Sequence, residues 1–183
     1  MQYTRKGDDG MTKTFGCNQK ISKSSAIAEA LGNLDEVNSL LGVCKTDASK
    51  IDFNVGTQSF SDIIGDVQEG LFIIQAELAG ANKKISKNKT KHLELLIDMI
   101  EKELPPIKSF LIPGGSEMSS LFDYTRTVAR RTERRVVAVS EEGIVKVSEH
   151  TLAYLNRLSS LLYSLARFSN YLSGVKEIPP SYK

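Results

Sequence analysis

Residues 148–173 read SEHTLAYLNRLSSLLYSLARFSNYLS, with Leu152, Leu155, Leu158, Leu162, Leu165 and Phe168 recurring at intervals of three or four. That spacing gathers apolar side chains onto one face of a helix, and a stripe this long must be covered by other elements. Four stretches elsewhere have the same character. SKSSAIAEALGNLDEVNSLLGVCK carries Ile27, Leu31, Leu34 and Leu41, with Ser24 or Ser25 placed to cap its start. Ile63, Ile64, Val67, Leu71, Ile74 and Leu78 mark a second helix ending near Gly80. Leu93, Leu96, Ile97, Ile100 and Leu104 mark a third, stopped by Pro105 and Pro106. The fourth spans about Glu117 to Ser140. Between them TDASKIDFNVGTQ and NKKISKNK read as polar connections, and SFLIPGGS as a short apolar run closed by a Pro-Gly-Gly turn. No stretch alternates with period two for long. The chain is expected to be all-α, a five-helix bundle with short connections.

The 183 residues fit a single domain, divided into an N-terminal segment (1–23), a helical bundle (24–173) and a tail (174–183). Apolar residues make up 40% and charged residues 25%, the balance of a globular protein. A net charge of +2 creates no global field for nucleic acid, so an anion site has to come from local clustering. Cys17 and Cys44 lie too far apart for a CxxC motif, and His92 and His150 are isolated, so no protein-held metal site is expected. The start MQYTRKGDDG lacks the apolar core of a signal peptide, and no run reaches membrane length. The chain is expected to be cytoplasmic, with no membrane or nucleic-acid partner.

TRTVARRTERR on the fourth helix is the densest unusual stretch. Val128, Thr132, Val136 and Val139 share a face with Leu121, while Arg126, Arg130, Arg131, Glu133 and Arg134 fall roughly opposite. Arg126, Arg130 and Arg134 stand four apart, and like charges at that spacing repel by a few tenths of a kcal/mol per pair (roughly). A bound oligophosphate would relieve them, since guanidinium forks donate to two oxygens at once. A solvated helix face with Glu133 as local partner is the other reading of the same residues. In the opening stretch Thr4, Lys6, Thr12, Lys13 and Thr14 offer donors, and Gly7 and Gly10 let backbone amides turn toward an anion. It is not a P-loop, and taken alone it reads equally as a frayed terminus. Asp35 and Asn38, like Asn156 and Arg157, interrupt apolar patterns and read as exposed edge positions. Phe110, considered by itself, reads as core.

YTRKGDDGMT, LDEVNSLLG, FLIPGGS, RTVARRTER and YLNRLSSLLYSLAR occur in that order from Tyr3 to Arg167. This series resembles the PduO-type ATP:cob(I)alamin adenosyltransferases. The resemblance implies a homotrimer with ATP in clefts between subunits. It implies transfer of the 5′-deoxyadenosyl group of ATP to the cobalt of cob(I)alamin, forming adenosylcobalamin and releasing triphosphate, with Mg²⁺ accompanying the nucleotide. By motif match, Thr4, Arg5, Lys6, Gly7, Thr12 and Lys13 would line the nucleotide, and Lys23 in KISK would reach its phosphates. Arg130, Glu133, Arg134 and Asn156 match ATP-contacting helix residues, with Arg131 adjacent. Asp35 and Arg126 resemble a pair that meets across the subunit boundary, and Phe110 the aromatic residue beneath the corrin that keeps the lower axial ligand from cobalt. The N-terminal segment would fold over ATP, mobile when empty and ordered when filled.

Cob(I)alamin is itself a strong nucleophile, so the absence of a catalytic triad in the sequence fits. The protein's task would be positioning and stabilising the charge on departing triphosphate. The chain departs from the family at Asp123 and Thr125, where His and Ala are common, at Thr132 in RRTER, and at Ser160 in LNRLSS. Asp123 brings negative charge near the corrin side. A non-catalytic ATP or corrinoid carrier on the same bundle would bind without turnover. A basic helical module for RNA or protein partners would show salt-sensitive binding that ATP does not compete away. A reductase partner is compatible with the first reading.

Overall fold

The structure, a computed structural model, describes residues 3, 5–14, 20–143 and 145–182. Five helices carry the fold: α1 (Ala26–Ala48), α2 (Phe60–Leu78), α3 (Lys87–Glu103), α4 (Glu117–Glu141) and α5 (Glu149–Leu172). Each begins on a serine in extended conformation. Ser25, Ser59, Ser86, Ser116 and Ser148 accept hydrogen bonds from the amides of Ala28, Asp62, Lys89, Ser119 and Thr151, satisfying one orphan donor at every helix start. Each such cap stabilises its helix by about 1 kcal/mol.

The expected connections prove shorter than read. Thr46, Asp47 and Ala48 continue α1, with Ala48 buried. NKKISKNK is a loop only as far as Ser86; Lys87 to Lys89 already form the first turn of α3, and Ile85 is buried ahead of the cap. Two small antiparallel hairpins were not foreseen. β1 (Met11–Lys13) pairs with β2 (Lys20–Ser22), and β3 (Asn54–Val55) with β4 (Gln58–Ser59).

α4 packs between α1 and α5, α2 lies against α1, and α3 against α5. Leu34, Leu41, Ile64, Leu71, Ile100, Val136, Leu155, Leu158 and Leu165 all lie in one core. Phe60 of α2 meets Phe122 of α4 edge-on at 5.8 Å and Phe168 of α5 at 6.1 Å, tying three helices at one point. Gly70 gives room to Tyr154: a Cβ there would lie 2.3 Å from the tyrosine oxygen. Buried Glu77 of α2 receives the Ser148 amide at 2.8 Å and the Thr151 hydroxyl, capping α5 from a neighbouring helix. Asn38 also departs from its expected exposure; it is buried, and its side-chain oxygen finds no partner among the described residues. No helix among the described residues is long and apolar enough to cross a membrane.

Candidate active site

Two concavities hold most of the chemistry-bearing residues. The first, about 590 Å³, lies between α4, α5 and the 107–111 loop, and Phe110, Arg126, Arg130, Ser160 and Tyr163 line it. Helical spacing places Arg126 and Arg130 one turn apart on the same edge of α4. Arg126 donates from Nε to Asp123 Oδ1 at 3.2 Å and lies 5.7 Å from the centre of the Tyr163 ring. Burial pushes the Tyr163 phenol above its ordinary pKa, so it remains neutral beside that cation. The Arg130 side chain is exposed and makes no hydrogen bond or ion pair with any described residue. The Arg130 peptide oxygen instead accepts from Arg134 Nη1 at 3.1 Å. The repulsion anticipated along the arginine row is therefore relieved at Arg126 and left standing at Arg130.

Phe110 is not core. It is 81% exposed, at the rim of this cleft. Its loop is anchored on both sides instead of packed beneath. Arg167 Nη2 donates to Pro105 O at 3.1 Å, and Ile112 N to Ile178 O at 2.9 Å. Asn170 holds the Pro-Gly-Gly turn through Gly114 O and the Ser116 amide, each at 2.9 Å.

Beside the cleft Asn156 donates to Glu133 Oε1 at 3.0 Å and accepts from Arg157, whose Nε reaches Glu94 at 3.0 Å. This chain of contacts joins α4, α5 and α3. It sets Glu133 beside Asn156, while Arg134 folds back onto the Arg130 peptide oxygen. Arg131 goes elsewhere. Its guanidinium reaches Asn33 at 3.0 Å and pairs with Glu36, so it fastens α4 to α1 and does not line the cleft. Asp35 is exposed on α1 as read, but it forms no ion pair with Arg126 within the chain.

The second cavity, about 620 Å³, belongs to the N-terminal segment and is lined by Lys6, Gly7, Thr12, Lys13, Lys20 and Lys23 together with Met11. Four lysines around one hollow give it a positive local field. Lys23 bonds Gly7 O at 2.7 Å, and a Cβ on Gly7 would crowd that ammonium at 3.1 Å. Lys20, which the sequence reading passed over, pairs with Asp9 at 2.7 Å across the hairpin and holds that carboxyl below its usual pKa. Arg5 has a left-handed backbone, φ 57°, with its guanidinium over the Tyr3 ring. Thr4 lies outside the described residues. No residue lines both cavities. No group of three carboxylate, His or Cys side chains converges among the described residues.

The family model for cobalamin adenosyltransferase matches residues 2–169. The corrinoid adenosyltransferase of Bacillus subtilis is 36% identical, over 96% of this chain and 90% of its own. Corrinoid adenosyltransferase PduO of Citrobacter freundii is 37% identical over 92% of this chain, which spans 50% of that relative's length. A variant PduO-type ATP:corrinoid adenosyltransferase of Lactobacillus reuteri, solved with cobalamin and ATP, superimposes with a TM-score of 0.87 at 30% identity, covering 99% of both chains. A second variant of that enzyme, solved with ATP, gives 0.85 over 97% of this chain and 99% of its own. With five helices in the same arrangement along nearly the whole length, the chain belongs to the cobalamin adenosyltransferase family.

Proposed function

We propose that the two cavities are halves of one site, completed where subunits of a homotrimer meet, that transfers the 5′-deoxyadenosyl group of ATP to cob(I)alamin or a related corrinoid. The observation that carries this reading is the α4–α5 cleft, where an arginine with no partner within the described chain stands beside an aromatic side chain held out in solvent. Nothing among the described residues accounts for either. The lysine-lined hairpin of a neighbouring subunit would close over Arg130 and enclose the triphosphate. Asp35 of one subunit would then reach Arg126 of the next, a pairing the single chain does not make. The Lactobacillus reuteri variants carry a Phe-to-Ala and an Arg-to-Lys change twenty residues apart, the separation of Phe110 and Arg130 here, which supports treating these two as working residues.

The chemistry balances without a protein nucleophile. The Co(I) electron pair attacks C5′, the C5′–O bond breaks, and triphosphate leaves with the bonding electrons. Arg130, Lys13 and Lys23 stabilise the charge that accumulates on the leaving oxygens, where fixed cations need no reorganisation. Thr4, Arg5, Lys6, Gly7 and Thr12 contact the nucleotide from the lid, and Glu133, Arg134 and Asn156 from the wall. Arg131 acts one step removed, fixing α4 on α1. Bound with ATP, Mg²⁺ would add to the charge stabilisation that Arg130, Lys13 and Lys23 give the leaving triphosphate. Phe110 occupies the lower face of the corrin and excludes the axial ligand, which eases reduction of Co(II). A reductase supplies that electron, and the cytoplasm supplies ATP.

Incubating the protein with ATP, Mg²⁺ and chemically reduced cobalamin should give adenosylcobalamin and triphosphate in equal amounts. Stoichiometric binding with no cobalt–carbon bond would overturn the reading in favour of a carrier.

A further inference from the structure

One carboxylate joins Arg126, in the wall of the α4–α5 cleft, to the turn that follows the Phe110 loop. Asp123, on the second turn of α4 with its side chain 13% exposed, accepts the Gly114 amide through Oδ2 at 3.1 Å and the Arg126 Nε–H through Oδ1 at 3.2 Å. Gly114 and Gly115 have φ of 108° and 124°, and a Cβ on Gly115 would lie 2.5 Å from the Asn170 oxygen. The turn therefore has to be glycine. A glycine pair does not hold its own conformation, so side chains from α4 and α5 must set its direction. Phe110 stands four residues upstream. Arg126 is held on one side by Asp123 and on the other by the Tyr163 ring, which leaves its terminal nitrogens without a hydrogen-bond partner among the described residues.

We propose that Asp123 is a positioning residue for the transfer reaction: it links the turn that ends the Phe110 loop to the Arg126 guanidinium, so that the two are placed together. The inference rests on the adenosyltransferase reading of the cleft. Asp123 touches neither substrate. Its charge is spent on Arg126 and on a peptide N–H, so it brings no free negative charge to the corrin, and the terminal nitrogens of Arg126 stay available for a carboxylate on the adjoining subunit. Asn170 and Ile178 hold the loop independently at Gly114 O and Ile112 N, so loss of Asp123 loosens the loop without releasing it.

The test compares Asp123→Ala and Asp123→Asn with the parent protein. Cob(II)alamin and ATP are bound, and the four-coordinate fraction is read by electron paramagnetic resonance. Turnover and KM for ATP are measured from Co(II) with a reductant and from prepared Co(I). Asp123→Ala should lower the four-coordinate signal and the Co(II) reaction about tenfold, as a small misplacement of a positioning group does. Its KM for ATP and its Co(I) turnover should stay within about twofold of the parent. Asp123→Asn, whose amide oxygen still accepts the Gly114 N–H but cannot neutralise Arg126, should fall between the two. An unchanged four-coordinate signal in Asp123→Ala overturns the proposal, and so does an equal loss from Co(I) and Co(II). If Asp123→Ala does not assemble, Asp123→Asn decides alone: parent-level values in every readout overturn the link to Arg126. Failure of the underlying reading looks different, because the parent protein itself would then form no adenosylcobalamin from prepared Co(I).

Discussion

At the scale of single residues, Phe110 departs furthest from what sequence patterning suggests. Phe110 sits in an apolar run, and apolar runs ordinarily go inside. Pro105–Pro106 before it and the Pro-Gly-Gly turn after it deny the segment any helix or strand to fold against. Its ring is left 81% exposed, an unusual state for a large aromatic and the mark of a surface meant to be covered. Replacing Phe110 by Ala should slow the reaction from Co(II) by at least about tenfold more than the reaction from Co(I); equal effects would contradict its placement against the corrin. Arg130→Ala should cut kcat/KM for ATP by roughly a hundredfold, the usual loss for a charge stabiliser at the leaving group, while the melting temperature holds. Arg131→Ala should do the reverse. It breaks the α4–α1 tie to Asn33 and Glu36, lowering stability by about 1 kcal/mol with a smaller kinetic effect, checked by denaturant melts beside rate assays. The difference between two adjacent arginines is a matter of 100° of helix rotation. The sequence contained that angle, but not which neighbouring helix lay on which side.

Elements were more legible because their rules are local. Apolar spacing located all five helices, and the Ser24 or Ser25 cap placed the start of α1 to within a residue. What escaped was the helix start hidden in NKKISKNK. Polarity suggested a loop, yet Ser86 caps it and buried Ile85 anchors the entry. Glu77 also escaped, because an acid in an apolar stripe gains its meaning only when the start of α5 arrives beside it. Glu77→Ala strands the Ser148 amide and the Thr151 hydroxyl, and should cost about 2 kcal/mol in urea unfolding without changing KM for ATP. The N-terminal hairpin is held by three residue pairs, the exposed Asp9–Lys20 contact and the Lys23 bonds to Gly7 O and Gly10 O. Limited proteolysis should cut it readily in free protein, and ATP should protect it; identical cleavage with and without ATP would remove its role as a lid.

For the molecule as a whole, two buried acids set a limit on alkaline stability. Burial raises the Cys44 thiol and the Tyr154 phenol above their ordinary pKa values. Both groups ionise earlier in the unfolded chain, so their contribution is complete below the ordinary thiol and phenol pKa values. It is lost progressively as pH rises through the higher folded-state values. The melting temperature should accordingly fall as pH rises above about 9, and Cys44→Ser with Tyr154→Phe should flatten that decline.

Assembly is the scale at which the proposed site would become whole. One chain presents a wall of arginines in one cavity and a lid of lysines in another, with no residue common to both. Sequence order cannot reveal this separation, since neighbouring motifs in a list say nothing about which subunit supplies each. Mixing two inactive proteins tests the point directly. Arg130→Ala has an intact lid, and Lys13→Ala combined with Lys23→Ala has an intact wall. If each site joins the lid of one subunit to the wall of another, co-assembled trimers should regain about a quarter of parental adenosylcobalamin formation, the share of sites that draw both intact halves. Mixed trimers that remain inactive would show instead that each subunit builds its site alone.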